Sequence, residues 1–447
     1  MRRLPPIAAL AGIAVLSLSV SAAPAAPDAR PHLVIILTDD QRGDTLQYMP
    51  LIRQHLVARG VLFPNGFVTT PLCCPSRASL LSGQYAHHTE VLTNQPPLGG
   101  ASRFKDASTL ATWLRAAGYH TGLFGKYLNG YGSLAPYVPP GWDEWNAFLG
   151  TSFFNYSLNE NGTIRRYGRG PDEYSTEVLA RKAVGFIERT PAGTPLLVYF
   201  APFAPHAPAT PAPQDADAFM NLAPWRPPAY NEADVRDKPA WVQRLPMIEG
   251  AGQAQGDEFR RKQVASLQAV DRAVGALVEA LRRTGRLDQT VFVFTADNGL
   301  SWGEHRWLNR KSCPYEECIR VPFVVVVPGV APRSDPHFAL NIDVAPTLAE
   351  LAGVRPAGRV DGLSLVPLLR NPAHAWREAF IIEYWGGAQE FVGVRAERWT
   401  YVEYASGERE LYDLAADPYQ LQNVAADPAQ AAAVARLRAQ LESLRGR

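Results

Sequence analysis

The stretch 32–40, His-Leu-Val-Ile-Ile-Leu-Thr-Asp-Asp, joins a continuous apolar run to a pair of acidic residues. A continuous apolar run, as opposed to an alternating one, is typical of a strand that is buried on both faces of a parallel sheet. Further runs of this kind lie at Thr121 to Phe124, Leu196 to Phe200, Val291 to Phe294 and Phe323 to Val327. The sequence therefore predicts an α/β fold with a mixed, mostly parallel sheet sandwiched by helices.

Charged or polar residues follow four of the predicted strands, close to the point where each strand ends. They are Asp39 and Asp40, Lys126, His206, and Asp297 with Asn298. Ligands of open α/β sheets bind beyond the carboxyl ends of the strands, so we expect these residues to meet in one site. The carboxylate and amide oxygens among them form a hard ligand set, which suits Ca²⁺ or Mg²⁺ better than zinc.

The rest of the chain divides into two predicted parts. Residues 26–370 contain the apolar runs, and helices are predicted there over Val264 to Leu281 and over Asp343 to Ala352. The proline-rich stretch 205–246 is expected to be a long surface loop at the rim of the site. Residues 371–447 contain short strand-like segments and an alanine-rich segment, which predict a smaller antiparallel sheet subdomain with a terminal helix.

The N-terminus predicts export. Arg2 and Arg3 precede an apolar run from Ile7 to Val20 and then small residues, which is typical of a signal peptide over residues 1–25. The run is shorter than the ~18 apolar residues that span a membrane, so we expect a periplasmic or secreted protein without a stable membrane anchor. The formal net charge of +1 over 447 residues gives no indication of nucleic-acid binding.

The four cysteines of the chain fall into two pairs. Cys313 and Cys318 are spaced for a local disulfide, but adjacent residues such as Cys73 and Cys74 rarely bridge to each other. Pro75 favours a helix start beside Cys73, where backbone N–H groups attract anions. Arg77 would then lie on the same helical face as Cys73, so the stretch predicts an anion-binding nucleophile site.

The pentapeptide Cys73-Cys74-Pro75-Ser76-Arg77, followed by Leu81-Ser82-Gly83, resembles the signature of the sulfatase family, in which the first cysteine is oxidised to formylglycine. The resemblance covers nearly the whole mature chain and implies an alkaline-phosphatase-like fold. It includes Asp39-Asp40-Gln41, Gly125-Lys126-Tyr127-Leu128-Asn129, Ala204-Pro205-His206, Ala296-Asp297-Asn298-Gly299 and Glu410-Leu411-Tyr412-Asp413-Leu414. Gly141 to Trp145 and Phe154 to Tyr156 look closest to the N-acetylglucosamine-6-sulfatase branch, which includes the heparan-acting endosulfatases.

This resemblance implies an activity and a set of roles. The activity is hydrolysis of sulfate monoesters, with the 6-O-sulfate of glucosamine-type sugars in a glycan as substrate. The implied partners are that glycan and a formylglycine-generating maturation enzyme. The implied cation is calcium, with magnesium as the alternative, held by Asp39, Asp40, Cys73, Asp297 and Asn298. The implied catalytic residues are Cys73, Arg77, Lys126, His206, Lys311 and His305.

Under this hypothesis one hydroxyl of hydrated formylglycine attacks sulfur and the alcohol leaves, which gives a covalent sulfate on residue 73. The second hydroxyl then collapses back to the aldehyde and expels sulfate. One position departs from the pattern of many arylsulfatases, because Leu128 stands where they have a histidine. His305, or His87 and His88, are therefore candidates to assist at the formylglycine hydroxyl. Two alternative functions stay open, namely a phosphonate or phosphate ester hydrolase on the same fold and a non-catalytic binder of sulfated glycans.

Overall fold

The computed structural model describes Met1 and residues 30–446, so the predicted signal peptide lies, apart from Met1, outside the described residues. In chain order the strands are β1 His32–Thr38, β2 Val61–Leu62, β3 Gly66–Phe67, β4 His120–Gly125, β5 Glu144–Gly150, β6 Tyr156–Glu160, β7 Thr163–Tyr167, β8 Leu196–Ala201, β9 Thr290–Ala296, β10 Ser301–Trp302, β11 Leu308–Arg310, β12 Val324–Val326, β13 Arg333–Ser334, β14 Ala339–Leu340, β15 Ala379–Tyr384, β16 Phe391–Ala396, β17 Trp399–Tyr404 and β18 Arg409–Asp413. The α-helices are α1 Pro50–His55, α2 Cys73–Ser82, α3 Ala86–Thr89, α4 Leu110–Ala116, α5 Ser175–Arg189, α6 Ala240–Gln243, α7 Ala251–Arg283, α8 Glu316–Ile319, α9 Val344–Leu351, α10 Val366–Arg370 and α11 Ala431–Arg445.

The main sheet has the strand order β13-β2-β12-β9-β1-β8-β4-β5-β6-β7. Its central strands, from β9 to β5, all run parallel. Side chains of β1 alternate between the two faces of the sheet. Leu33 and Ile35 pack in the core that includes residues of α4 and α9, whereas Val34 and Ile36 pack in the core that includes residues of α5 and α7. Helices cover both faces, which confirms the predicted sheet sandwiched by helices.

One strand prediction is wrong in direction. The run Phe323 to Val327 was expected to be a parallel strand, but β12 runs antiparallel to both of its neighbours, β9 and β2. A continuous apolar run reports burial on both faces of a sheet and carries no information on strand direction. The connection from β9 to β12 contains the β10–β11 hairpin and the short α8, and no long crossover helix, so the chain returns beside the strand it left.

The long segments between strands differ in part from expectation. The helix predicted from Val264 begins earlier, because α7 starts at Ala251 and continues to Arg283. The proline-rich stretch is largely irregular, as predicted, and has only short helical turns. It is not confined to the surface, because Trp241 and Val242 are buried in a core shared with the C-terminal sheet.

The C-terminal sheet is antiparallel, with the order β15-β16-β17-β18, and α11 packs against it through Leu437 and Leu441. It joins the rest of the protein through a core that includes Phe67, Phe338 and Phe380. This arrangement confirms the smaller antiparallel unit, whereas its boundary at 370/371 stays a prediction. None of the helices in the described part of the chain combines the length and apolar character that a membrane crossing requires.

Candidate active site

Residues at the carboxyl ends of β1, β4, β8 and β9 meet at one edge of the main sheet. The Lys126 ammonium donates to Asp39 Oδ2 at 2.6 Å, and the Asp40 backbone N–H donates to Asp297 Oδ1 at 3.0 Å. His206 Nε2 lies 3.6 Å from Asp40 Oδ2. The convergence expected from the sequence is confirmed, because parallel strands bring their carboxyl ends to the same edge.

Cys73 is the first residue of α2, as the position of Pro75 predicts. The preceding residue, Leu72, is extended and makes no side-chain cap, so the first N–H groups of the helix need other acceptors. The N–H of Cys74 donates to Asn94 Oδ1 at 2.9 Å. The helix ends at Gly83, whose φ of 72° is a left-handed conformation that glycine adopts readily. Because Cys73 is the first residue of α2 and contacts Lys311 and Asp39, the N-terminus of the helix lies at the site.

The Cys73 side chain is buried, with 1% exposed, and is surrounded by charged groups. Its Sγ lies 2.7 Å from Lys311 Nζ and 3.5 Å from Asp39 Oδ1. Burial raises the pKa of the Cys73 thiol, although the ammonium groups of Lys126 and Lys311 act in the opposite direction. An unmodified Cys73 is therefore held as a neutral thiol, the less nucleophilic form.

Arg77 lies one helical turn after Cys73 and is fully buried. Its Nε donates to Asp297 Oδ2 at 2.7 Å, and Nη1 donates to the Lys126 carbonyl at 2.9 Å. Its Nη2 lies 3.7 Å from Asp39 Oδ2 and has no hydrogen-bond partner among residues 30–446. A buried donor without a partner is costly, so this atom is available for an acceptor at the site.

The carboxylates of Asp39 and Asp40 are held in their charged form. Burial would raise the pKa of Asp39, but Lys126, His206 and Arg77 outweigh burial and lower it. Burial would likewise raise the pKa of Asp40, but Lys311 and His206 outweigh it and lower that pKa. Lys311 donates to Asp40 Oδ1, and the pKa of Lys311 is raised well above its usual range, so it stays an ammonium.

The site has the donors that a divalent cation needs. Ligand atoms of Asp39, Asp40, Cys73 and His206 all lie within 4.8 Å of one another. Asn298 Oδ1 is buried and has no hydrogen-bond partner in the described part of the chain, which fits an oxygen directed at a cation. Carboxylate and amide oxygens are ligands of calcium and magnesium.

Asp297, which was predicted as a metal ligand, accepts hydrogen bonds from protein groups at both carboxylate oxygens. Its Oδ2 accepts from Arg77 and its Oδ1 accepts from the Asp40 backbone. The side-chain amide of Asn298 donates to Asp40 Oδ1 at 2.7 Å. Both predicted residues therefore lie in the site. Their role as ligands stays a prediction.

Three predicted histidines lie elsewhere. His305 Nδ1 is 2.7 Å from Glu232 Oε2, His87 Nδ1 is 2.8 Å from Glu383 Oε2, and His88 Nδ1 is 2.7 Å from Asp361 Oδ2. No contact between described residues joins any of them to Cys73. The structure therefore does not bring them together with the nucleophile, because proximity in sequence to a motif does not determine the direction in which a loop turns.

Sequence reasoning missed Asn94, which accepts the N–H of Cys74, and no feature of the sequence marks it. Cys313 and Cys318 form the local disulfide that their spacing suggested, two residues after Lys311. Cys73 and Cys74 are free, as chemistry at Cys73 requires.

Comparison with known proteins agrees with this geometry. Residues 31–354 match the family model described as Sulfatase. The chain belongs to the sulfatase family. Residues 303–447 also match a model described as N-sulphoglucosamine sulphohydrolase, C-terminal.

Relatives in this family include an extracellular sulfatase SULF-1 homologue of Drosophila melanogaster, which is 35% identical over 374 residues and 80% of this chain. The chain spans 33% of that relative's length, and 53% of the length of a Caenorhabditis elegans homologue. Human N-acetylglucosamine-6-sulfatase is 34% identical over 383 residues, which are 81% of this chain and 68% of the human protein.

A solved structure of a protein in complex with its substrate, D-glucosamine-2-N,6-O-disulfate, superimposes with a TM-score of 0.80. It is 24% identical in sequence and covers 93% of this chain and 97% of its own. A likeness at this identity shows the fold alone. It confirms the alkaline-phosphatase-like architecture expected from the resemblance.

Proposed function

We propose that this sulfatase-family protein hydrolyses sulfate monoesters, using a formylglycine made from Cys73 and a bound calcium ion. The observation that carries the proposal is the position of Cys73 at the N-terminus of α2, in contact with Lys311 and beside Asp39. A helix N-terminus flanked by ammonium and guanidinium groups attracts a tetrahedral anion. We propose the 6-O-sulfate of a glucosamine-type sugar in a glycan as substrate, because human N-acetylglucosamine-6-sulfatase is among the relatives.

Three cations surround the place where sulfate would bind. Lys126 and Lys311 supply point charges, and Arg77 supplies the unpartnered Nη2. Because all three are ion-paired to buried carboxylates, their positions are set before substrate arrives. Preorganised charges of this kind stabilise the transition state without reorganising during the reaction. Their proposed function is to hold the sulfate oxygens as negative charge redistributes.

We propose that His206 gives a proton to the leaving oxygen of the alcohol. Its Nδ1 lies 2.8 Å from the carbonyl oxygen of Ala207, and a carbonyl only accepts, so Nδ1 carries a proton. Its Nε2 faces the site beside Asp40, and the ring packs on Phe203 with centroids 4.7 Å apart. A protonated Nε2 would then donate to the oxygen that separates from sulfur.

Two groups complete the proposed site. A formylglycine at Cys73, once hydrated, would supply a hydroxyl nucleophile, and calcium would supply positive charge at the sulfate. Asp39, Asp40 and Asn298 offer the oxygens that would hold the ion, with Asp297 beside them. Because Cys73 is 1% exposed, a maturation enzyme would have to oxidise it before this region folds.

We further propose that the protein is exported, to the periplasm or the medium. Relatives named extracellular sulfatases support this proposal, as does the sequence of residues 1–25. The disulfide between Cys313 and Cys318 is compatible with an oxidising compartment.

The experiment that tests the function compares ester classes with one protein preparation. We expect the matured protein to release sulfate from glucosamine 6-sulfate, and to act much more slowly on phosphate and phosphonate esters of matched alcohols. Cys73→Ala should abolish release. Preference for the phosphorus esters would support the phosphonate or phosphate hydrolase instead. Binding of sulfated glycan without release of sulfate by matured protein would support the non-catalytic alternative.

A further inference from the structure

The segment that delivers Lys311 has a strained backbone. Between β10 and the residue after Lys311, four non-glycine residues have positive φ, namely His305 at 51°, Arg306 at 62°, Asn309 at 54° and Ser312 at 69°. L-residues adopt this left-handed conformation rarely, and it persists only where the surroundings enforce it. We call residues 301–312 the lysine hairpin. Its backbone requires contacts that hold it in place.

The proline-rich stretch supplies these contacts at two successive residues. His305 Nδ1 is 2.7 Å from Glu232 Oε2, and both side chains are buried. The guanidinium of Arg306 donates to the carbonyl oxygens of Glu232 and Ala233, each at 2.8 Å. Glu232 is also paired with Lys238, at 3.3 Å. One side chain and two backbone carbonyls of the proline-rich stretch thus bind the hairpin at His305 and Arg306, its first two non-glycine residues with positive φ.

The C-terminal end of the hairpin is hydrogen-bonded to the segment that precedes Cys73. The indole N–H of Trp307 donates to the Lys311 carbonyl at 2.8 Å, and the N–H of Ser312 donates to the Pro71 carbonyl at 3.1 Å. Pro71 lies two residues before Cys73. A displacement of the hairpin at His305 would therefore be transmitted to Lys311, whose Nζ contacts Cys73 Sγ.

The C-terminal sheet completes the support. The His305 ring packs on Tyr315 with centroids 4.0 Å apart, and the Tyr315 hydroxyl donates to Glu410 Oε1 at 2.9 Å. His305 thus has Glu232 at Nδ1, Glu317 Oε1 at 3.9 Å from Nε2, and an aromatic ring on its face. Among the described residues, no hydrogen bond or ion pair joins the His305 ring to the residues around Cys73.

We infer that His305 and Glu232 are positioning residues, which hold the lysine hairpin so that the Lys311 ammonium stays against residue 73. This role differs from the catalytic role that the sequence predicted for His305. The inference rests on the proposed function only for its kinetic consequence, since the geometry of the hairpin is independent of the reaction.

A double-mutant cycle tests the inference. We expect His305→Gln to lower kcat for sulfate release by about 10- to 100-fold, as loss of an orienting partner does in other sites, with a smaller change in KM. In a Lys311→Ala background the same substitution should have little further effect, because the residue through which it acts is gone. Glu232→Gln, which keeps an acceptor oxygen, should lose less activity than Glu232→Ala.

His337→Gln is the matched control. It removes another histidine–carboxylate pair, His337 Nδ1 to Asp335 Oδ1 at 2.6 Å. Among the described residues, no hydrogen bond or ion pair joins residues 333–338 to the lysine hairpin. We expect its kcat to equal that of the wild type. The inference would be overturned if His305→Gln lowered kcat by the same factor in the wild type and in the Lys311→Ala variant.

Hydrogen exchange gives a readout that does not need turnover. Amides of residues 301–312 should exchange faster in His305→Gln than in the wild type or in His337→Gln, because local opening becomes easier. Unchanged exchange in these residues would overturn the positioning role, whatever the activity. Faster exchange in His305→Gln, together with matured wild-type protein that releases no sulfate, would support the positioning role while refuting the proposed function.

Discussion

Lys311 Nζ lies 2.7 Å from Cys73 Sγ, although 238 positions separate the two residues in the chain. Cys73 is the first residue of α2, and Lys311 lies near the C-terminal end of the lysine hairpin. The contact therefore depends on the packing of two separate elements at the carboxyl edge of the sheet. It places a cation directly against the residue that we propose as the nucleophile.

Lys126 provides a test of the charged pocket. We expect Lys126→Ala to lower kcat for sulfate release by roughly 10²- to 10³-fold, because it removes a preorganised charge from the transition state. Lys262→Ala is the control, since Lys262 is on α7, is partly exposed and, within residues 30–446, is ion-paired with Glu258 alone, at 3.4 Å. Steady-state kinetics on one sulfate ester measure both. A rise in KM at unchanged kcat would show that Lys126 only binds substrate.

Removal of metal provides a second test. Chelation should abolish sulfate release, and Ca²⁺ should restore it more fully than Mg²⁺. Calcium should also raise the melting temperature of the chelated protein, because a ligand that binds only the folded state stabilises it. In Asn298→Ala this rise should be smaller, since a buried oxygen donor is lost. Full activity after exhaustive chelation, with no change in melting temperature, would contradict the proposed ion.

Substitutions of two adjacent glutamates, Glu316 and Glu317, should have opposite effects on the stability of the fold. Burial and the nearby Glu304 raise the pKa of Glu317 to about 7, above its ordinary value of 4.5. The folded state then binds more protons than the unfolded state between pH 4.5 and 7, so Glu317 costs stability increasingly as pH rises through that window. Glu317→Gln should therefore stabilise the protein, by on the order of 2 kcal/mol more at pH 8 than at pH 5.

Glu316→Gln is its control. Burial would raise the pKa of Glu316, but Arg320 and Arg395 outweigh burial and lower it to about 2. That carboxylate contributes stability above pH 4.5 and loses it only as pH falls towards 2, so Glu316→Gln should lower the melting temperature at both pH 5 and pH 8. Thermal melts at the two pH values measure both variants. Shifts of the same sign for the two variants would contradict the assignment.

The part of the site built on strand ends was predictable from the sequence. Buried parallel strands leave a continuous apolar run, and the residue after each run must lie at the carboxyl edge, so Asp39, Lys126, His206 and Asp297 could be placed together. The helix start at Cys73 was predictable for a similar reason, because Pro75 suits the first turn.

Contacts made by loops were not predictable in this way. His305 is close to Lys311 in sequence, but its side chain points towards Glu232. The hairpin contains residues with positive φ, and the local sequence does not predict this conformation. The direction of β12 was missed because burial is the same for parallel and antiparallel neighbours. In both cases the outcome is set by tertiary packing, which a short stretch of sequence does not encode.

The most direct test is the mass of the tryptic peptide from Gly60 to Arg77, taken from protein produced in its native host. We predict a peptide that is lighter by the conversion of one cysteine to formylglycine, with fragmentation placing the change at Cys73 and leaving Cys74 intact. A peptide with both cysteines unmodified, from folded protein that nevertheless releases sulfate, would contradict the proposed nucleophile.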